Sequence, residues 1–143
     1  MEEPLTEELL DELRAAPSLS SYIDRHSLEG KTLAGYLNEL LAAKGLARKD
    51  VVKAAGIGAT FGYQIFTGAR GASRDTLLPL AFAMGLSVRE TNRLLKVAGT
   101  NELYPKVRRD AIVLYCLERG ATLEEVDDAL YSFGEKTLGP HGE

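Results

Sequence analysis

The 143-residue chain contains one cysteine, so no internal disulfide can brace it. A lone thiol also fits a reducing compartment. Histidine is nearly as scarce. His26 and His141 stand far apart, the second within the terminal GPHGE, and together with Cys116 they form no metal-ligand set. No run of about 18 apolar residues occurs, so no membrane span is expected. The opening MEEPLTEELLDEL is acidic where a secretion signal is basic, which points to a cytoplasmic protein. A phosphate loop is missing too: Gly56-Ile57-Gly58 through Gly62 follows no strand and has neither dinucleotide-fingerprint nor P-loop spacing. Cys116, inside an apolar stretch, reads as a small core residue rather than a nucleophile. Glu124, Glu125, Asp127 and Asp128 read as a solvated helix face near a helix start. No cofactor is implied, and nothing here points to an enzyme.

What is present suits one domain, or one domain with an extension. Apolar residues make up 45% and charged residues 27%, enough for a real core under a soluble surface. The net charge of −4 seems to argue against nucleic acid, but its distribution does not. Residues 1–30 are strongly acidic. Residues 44–75 carry Lys44, Arg48, Lys49, Lys53, Arg70 and Arg74 against only Asp50 and Asp75. Phosphate attraction acts within a Debye length of about 8–10 Å, so a local patch outweighs the total. The plainer reading is that these cations only solubilise two short helices.

Residues 5–16 suit a helix, with Leu5, Leu9, Leu10 and Leu13 as a stripe and Pro17 as its stop. A weaker helix falls near Ser18–Arg25. This acidic arm either packs on a core or regulates access to the basic face. In residues 32–44, Leu33, Tyr36, Leu37, Leu40 and Leu41 recur at helical spacing, and Gly45 ends the run. Arg48 to Thr67 then reads as a short helix, a turn at Gly56 and a second short helix. Val51, Val52, Ala55, Ile57 and Ile65 form the seam between them. Gly56 can take the left-handed conformation such a turn needs. Ala59, Thr60, Tyr63, Gln64 and Thr67 point away from the seam. Ser73 is placed to cap a buried helix over 74–84, in which Pro79 removes the bond to the Asp75 carbonyl and should kink or loosen the first turn. Ser87 and Glu90 make a capping box for a helix over 87–98.

An internal repeat governs the remainder. A shift of 35 residues lays 74–103 over 109–138. Arg74-Asp75 then meets Arg109-Asp110, Gly85 meets Gly120, and Leu103 meets Leu138. The cap pair Ser87/Glu90 meets Thr122/Glu125. The repeat predicts helices over 106–119, starting at Pro105, and over 122–133. It also decides that AIVLYCL, strand-like in composition, is helical. Periods near 35 belong to helical-hairpin solenoids, but two copies are too few, so a hairpin stacked into one bundle is expected.

The stretch from Leu33 to Leu86 resembles the phage-repressor-type helix-turn-helix of the XRE family. The resemblance rests on LAGYLNELLAAKG, the glycine turn, IFTG, and GARGASRDTLLPLAFAMGLS. It departs from the family pattern at three places: Arg48 where glutamine is frequent, Gly62 where an aliphatic residue is usual, and Ala72 where proline is usual. Leu103-Tyr104-Pro105 followed by Arg108-Arg109-Asp110 resembles C-terminal extensions of bacterial helix-turn-helix proteins, which suggests a family and no activity. The implied fold is all-α: an acidic N-terminal helical arm over 1–30, a helix-turn-helix domain over 31–103, a helical hairpin over 104–135 and a flexible tail over 136–143.

The resemblance implies binding to double-stranded DNA, with the helix over 59–67 in the major groove. Arg48 and Lys49 would grip phosphate, and Arg70 and Arg74 would clamp the flanking backbone. Ala59, Thr60, Tyr63, Gln64 and Thr67 make up the outward face. Gln64 suits adenine, while Ala59 and the Thr60 methyl suit a thymine methyl. That surface is thin, so a homodimer on a two-fold site is expected, with the duplicated hairpin as its contact. The alternative is a protein-interaction module without DNA binding. It would use Phe61, Tyr63 and Phe66, unless Phe61 and Phe66 are simply core, and its partner would be a bacterial signalling protein of the kind such domains accompany.

Overall fold

The computed structural model describes residues 6–15 and 32–139. Every regular element in them is an α-helix. The chain divides into two compact units, Met1–Lys31 and Thr32–Glu143. In the first, α1 is Thr6–Ala15, with Arg14 paired to Asp11 at 3.2 Å and with Leu10 and Leu13 exposed. The helix expected near Ser18–Arg25 lies outside the described residues.

The second unit holds α2 (Leu33–Lys44), α3 (Arg48–Ala54), α4 (Ala59–Thr67), α5 (Arg74–Ala83), α6 (Val88–Val97), α7 (Arg108–Glu118) and α8 (Leu123–Ser132). The leucine spacing in α2 produces the buried row Tyr36, Leu37, Leu40 and Leu41. Thr32 starts the helix by accepting from the Gly35 amide. Helices α3 and α4 close on the expected seam: Val51, Val52, Ala55, Ile57 and Ile65 are all buried. Between them Gly56 sits at φ +73°. Its amide donates to the Lys53 carbonyl, and the Ile57 amide donates to the Val52 carbonyl. These two bonds satisfy the end of α3, and the left-handed residue between them turns the chain.

Gly62 has a packing reason. A Cβ added there would overlap Val52 Cγ1 and lie 2.7 Å from Val52 Cγ2. The missing side chain lets α3 and α4 approach closely, which offsets its cost to the helix. Asn38 ties α2 to the end of α4, its Nδ2 donating to the Phe66 carbonyl at 2.8 Å.

One expectation for α5 is corrected. Ser73 stands at the cap position, but its hydroxyl pairs with Thr76 Oγ1 at 3.1 Å instead of accepting from a backbone amide. Pro79 does not interrupt the helix, which runs continuously from Arg74 to Ala83. Its first turn is closed because the Thr76 and Leu77 amides both donate to the Ser73 carbonyl. The capping boxes at Ser87/Glu90 and Thr122/Glu125 form as expected.

The repeat is present in atomic detail. Arg74 Nε donates to the Asn101 carbonyl, and Arg109 Nε, 35 positions on, donates to the Lys136 carbonyl. The Leu103 amide donates to Asn92 Oδ1, and the Leu138 amide donates to Asp127 Oδ1. Between the copies the pairing is reciprocal. Arg74 binds Asp110 through two bonds of 2.9 and 2.6 Å, and Arg109 binds Asp75 at 2.9 Å. Helix α5 also packs on α8, and α6 on α7. A solenoid would pass each contact onward to the next repeat. Exchange in both directions instead marks a local two-fold relation, as at an isologous interface. Two boundaries differ from expectation. Helix α7 begins at Arg108, because residues 104–107 form a turn closed by the Val107 amide on the Tyr104 carbonyl. The tail expected from 136 is anchored through 139: Leu138 is fully buried, and Asp127 accepts from the amides of Leu138 and Gly139.

Candidate nucleic-acid interface

The outward face of α4 follows from helical spacing. Ala59 and Thr60, then Tyr63, then Thr67 fall one turn apart, and all four are exposed. Gln64 is half-buried. Its backbone carbonyl accepts from the Thr67 hydroxyl and the Arg70 amide, both at 3.2 Å. These bonds close the end of α4 and set the start of the following loop.

Two guanidinium groups flank this helix through its aromatic rings. Arg48, at the start of α3, lies over Tyr63 with its Cζ 4.8 Å from the ring centroid. Arg70, in the loop after α4, lies over Phe61 at 5.0 Å. Such stacking holds a charge without neutralising it. Among the described residues, Arg48, Lys49, Lys53 and Arg70 have no carboxylate partner. Lys44, by contrast, pairs with Glu90 at 3.2 Å.

Arg74, expected from the sequence to clamp the flanking backbone, is engaged on another contact. Its guanidinium is bound to Asp110 and to the Asn101 and Glu102 carbonyls. Asp110 is almost fully buried, so the pair belongs to the interior joint between hairpins. Lys53 takes its place. It stands one turn from Lys49 and, with Arg48, Lys49, Val52, Ile57 and Ala59, lines a groove of about 410 Å³. Its i, i+4 relation to Lys49 was the signal in the sequence. Of the three aromatic residues considered for a protein-binding face, only Tyr63 is open, at 53% exposure. Phe66 is core, and Phe61 is half-buried beneath Arg70.

Among the described residues no three His, Cys, Asp or Glu side chains are grouped to hold a metal ion. No helix among them is long and apolar enough to cross a membrane. Comparisons with protein-family models, with curated proteins and with solved structures found no match.

Proposed function

We propose that this chain is a sequence-specific DNA-binding protein of the phage-repressor helix-turn-helix type, acting in the cytoplasm as a transcriptional regulator. The observation that carries the reading is the Arg48–Tyr63 stack. It sets a guanidinium that has no carboxylate partner among the described residues beside the outward face of the second motif helix. Helices α3 and α4 are the motif, and α4 enters the major groove. Arg48, Lys49 and Lys53 contact phosphates on one side of that helix, and Arg70 does so on the other. Tyr63 and Gln64, with Ala59 and Thr60, face base edges.

A surface with no Arg or Asn on it reads few bases, so two copies act together on a two-fold site. The C-terminal hairpin supports that arrangement, because Tyr131 and Phe133 stand open to solvent on it.

The test is binding to duplex DNA across a salt series, followed by fluorescence anisotropy. Affinity should fall steeply with salt, and Arg48→Ala should flatten the logarithmic slope by about 1. Gln64→Ala should relax base preference in a selection from random duplexes. No binding at low salt would refute the proposal.

A further inference from the structure

The 35-residue repeat gives each hairpin an equivalent outer face, and only the first is covered. On α5 that face holds Leu77, Leu80 and Met84, none more than 4% exposed, and α3 packs against the helix. The equivalent positions on α7 are Ile112, Tyr115 and Arg119. Ile112 is half-buried, Tyr115 is 59% exposed, and Arg119 is exposed. Within the described residues of the second unit, α7 packs on α6 and α8, and no helix lies on it as α3 lies on α5. The duplication therefore leaves one helix-sized face with an apolar centre and no cover.

Charge decides what kind of helix fits it. Arg108, Ile112, Tyr115 and Arg119 fall at i, i+4, i+7 and i+11, one stripe along α7 and its cap. Two guanidinium groups thus bracket the apolar pair. Arg119 lies over the Tyr115 ring with its Cζ 3.6 Å from the centroid. Such stacking steadies the planar group and leaves its edge donors for a carboxylate. Arg119 has no carboxylate partner among the described residues. Arg108 meets Glu135 only at 3.7 Å, with 65% of its side chain exposed. A second copy fits poorly. An antiparallel two-fold pairing that sets Ile112 against Tyr115 also sets Arg108 against Arg119, like charge against like.

We infer that the outer face of α7 docks an acidic amphipathic helix of a partner protein. The apolar stripe of that helix lies on Ile112 and Tyr115. Carboxylates about 16 Å apart along it pair with Arg108 and Arg119. This face shares no residue with the Arg48–Tyr63 face and does not depend on DNA binding.

The experiment titrates the full chain into a fluorescein-labelled helical peptide, about four turns long, with leucines along one face and glutamates flanking them. A second peptide carries lysine at every glutamate. By anisotropy, the acidic peptide should bind saturably and about tenfold more tightly than the lysine form. Tyr115→Ala should weaken it about tenfold and Arg119→Gln about fivefold. Both side chains are exposed, so both variants keep the parent's melting temperature. Arg119→Glu should narrow the gap between the two peptides. The basic face of α3 and α4 also attracts acidic peptides, so amide shifts in 1H–15N NMR spectra locate the site. They should centre on Ile112, Tyr115 and Arg119. Shifts centred on Arg48 and Lys49, equal affinity for the two peptides, or unchanged affinity in the α7 variants would each overturn the proposal. So would a dimer in sedimentation that Tyr115→Ala dissolves, which would give the face to a second copy.

Discussion

Both carboxylate oxygens of Asp110 hold the guanidinium of Arg74, at 2.9 and 2.6 Å, and one of them also accepts from the Tyr104 amide. Asp110 is 5% exposed, so removing Arg74 strands a carboxylate in the joint between hairpins. Arg74→Ala should cost about 3 kcal/mol of stability in urea unfolding. Arg48→Ala removes a charge that rests only on an exposed ring, and should cost no more than about 1 kcal/mol. Equal effects from the two substitutions would contradict the division of the basic residues into structural and surface sets.

Gly62 should resist the substitution that helix propensity favours. Alanine suits a helix interior better than glycine by about 0.5–1 kcal/mol, yet its methyl would overlap Val52 here. Overpacking of this kind costs about 1–3 kcal/mol, so Gly62→Ala should be destabilising. Adding Val52→Ala removes the overlap, and the double variant should then lose less than the two single losses combined. Thermal melts of the four proteins would show this; simple additivity would mean the helices do not meet there.

The same position shows what the sequence could and could not convey. Apolar spacing was legible, since Val51, Val52, Ala55, Ile57 and Ile65 are one buried seam. So was the 35-residue repeat, which made α7 a helix despite its strand-like composition. Partners across the fold were not legible. Arg74 looks like any other cation of the basic segment until Asp110, 36 residues away, is seen beside it. Gly62 looks like a weakness until Val52 is above it. Local pattern reports which face a residue occupies, and only tertiary packing reports what already occupies that face.

Acid should loosen the start of α6. The Glu90 carboxyl titrates below the ordinary range, first because the Ser87 backbone amide donates to it and further because Lys44 lies beside it, against an opposing effect of burial. A carboxylate whose folded pKa is depressed contributes stability above its unfolded value, near 4.5, and that contribution is lost as pH falls through the folded value. Glu90→Gln keeps an acceptor for the cap and loses the charge. It should therefore be less stable than the parent at neutral pH, and the gap should close on acidification below about pH 4. A gap that stays constant with pH would exclude the carboxylate as its source.

Cys116 should be silent in the folded protein. The residue is 8% exposed, and burial pushes its thiol pKa upward, with Glu125 adding to the rise. The reactive thiolate is thus scarce and sheltered. An aromatic disulfide reagent at pH 8 should label it slowly in buffer and rapidly in urea. Labelling at the same rate in both would place the thiol at the surface.

The Arg48–Tyr63 stack can be separated from the charge it carries. At an exposed site a cation–π contact is worth about 0.5–1 kcal/mol, a size within reach of a double-mutant cycle. Arg48→Lys keeps the charge and loses the planar group, whereas Tyr63→Leu keeps an apolar side chain and loses the ring. If the ring serves to hold the guanidinium in place for phosphate, the two substitutions should be strongly non-additive in duplex affinity. Neither should change the salt slope by as much as Arg48→Ala does, because each leaves a cation at position 48. Fully additive losses would instead mean that the ring does not position Arg48, and that the two side chains act on the duplex independently.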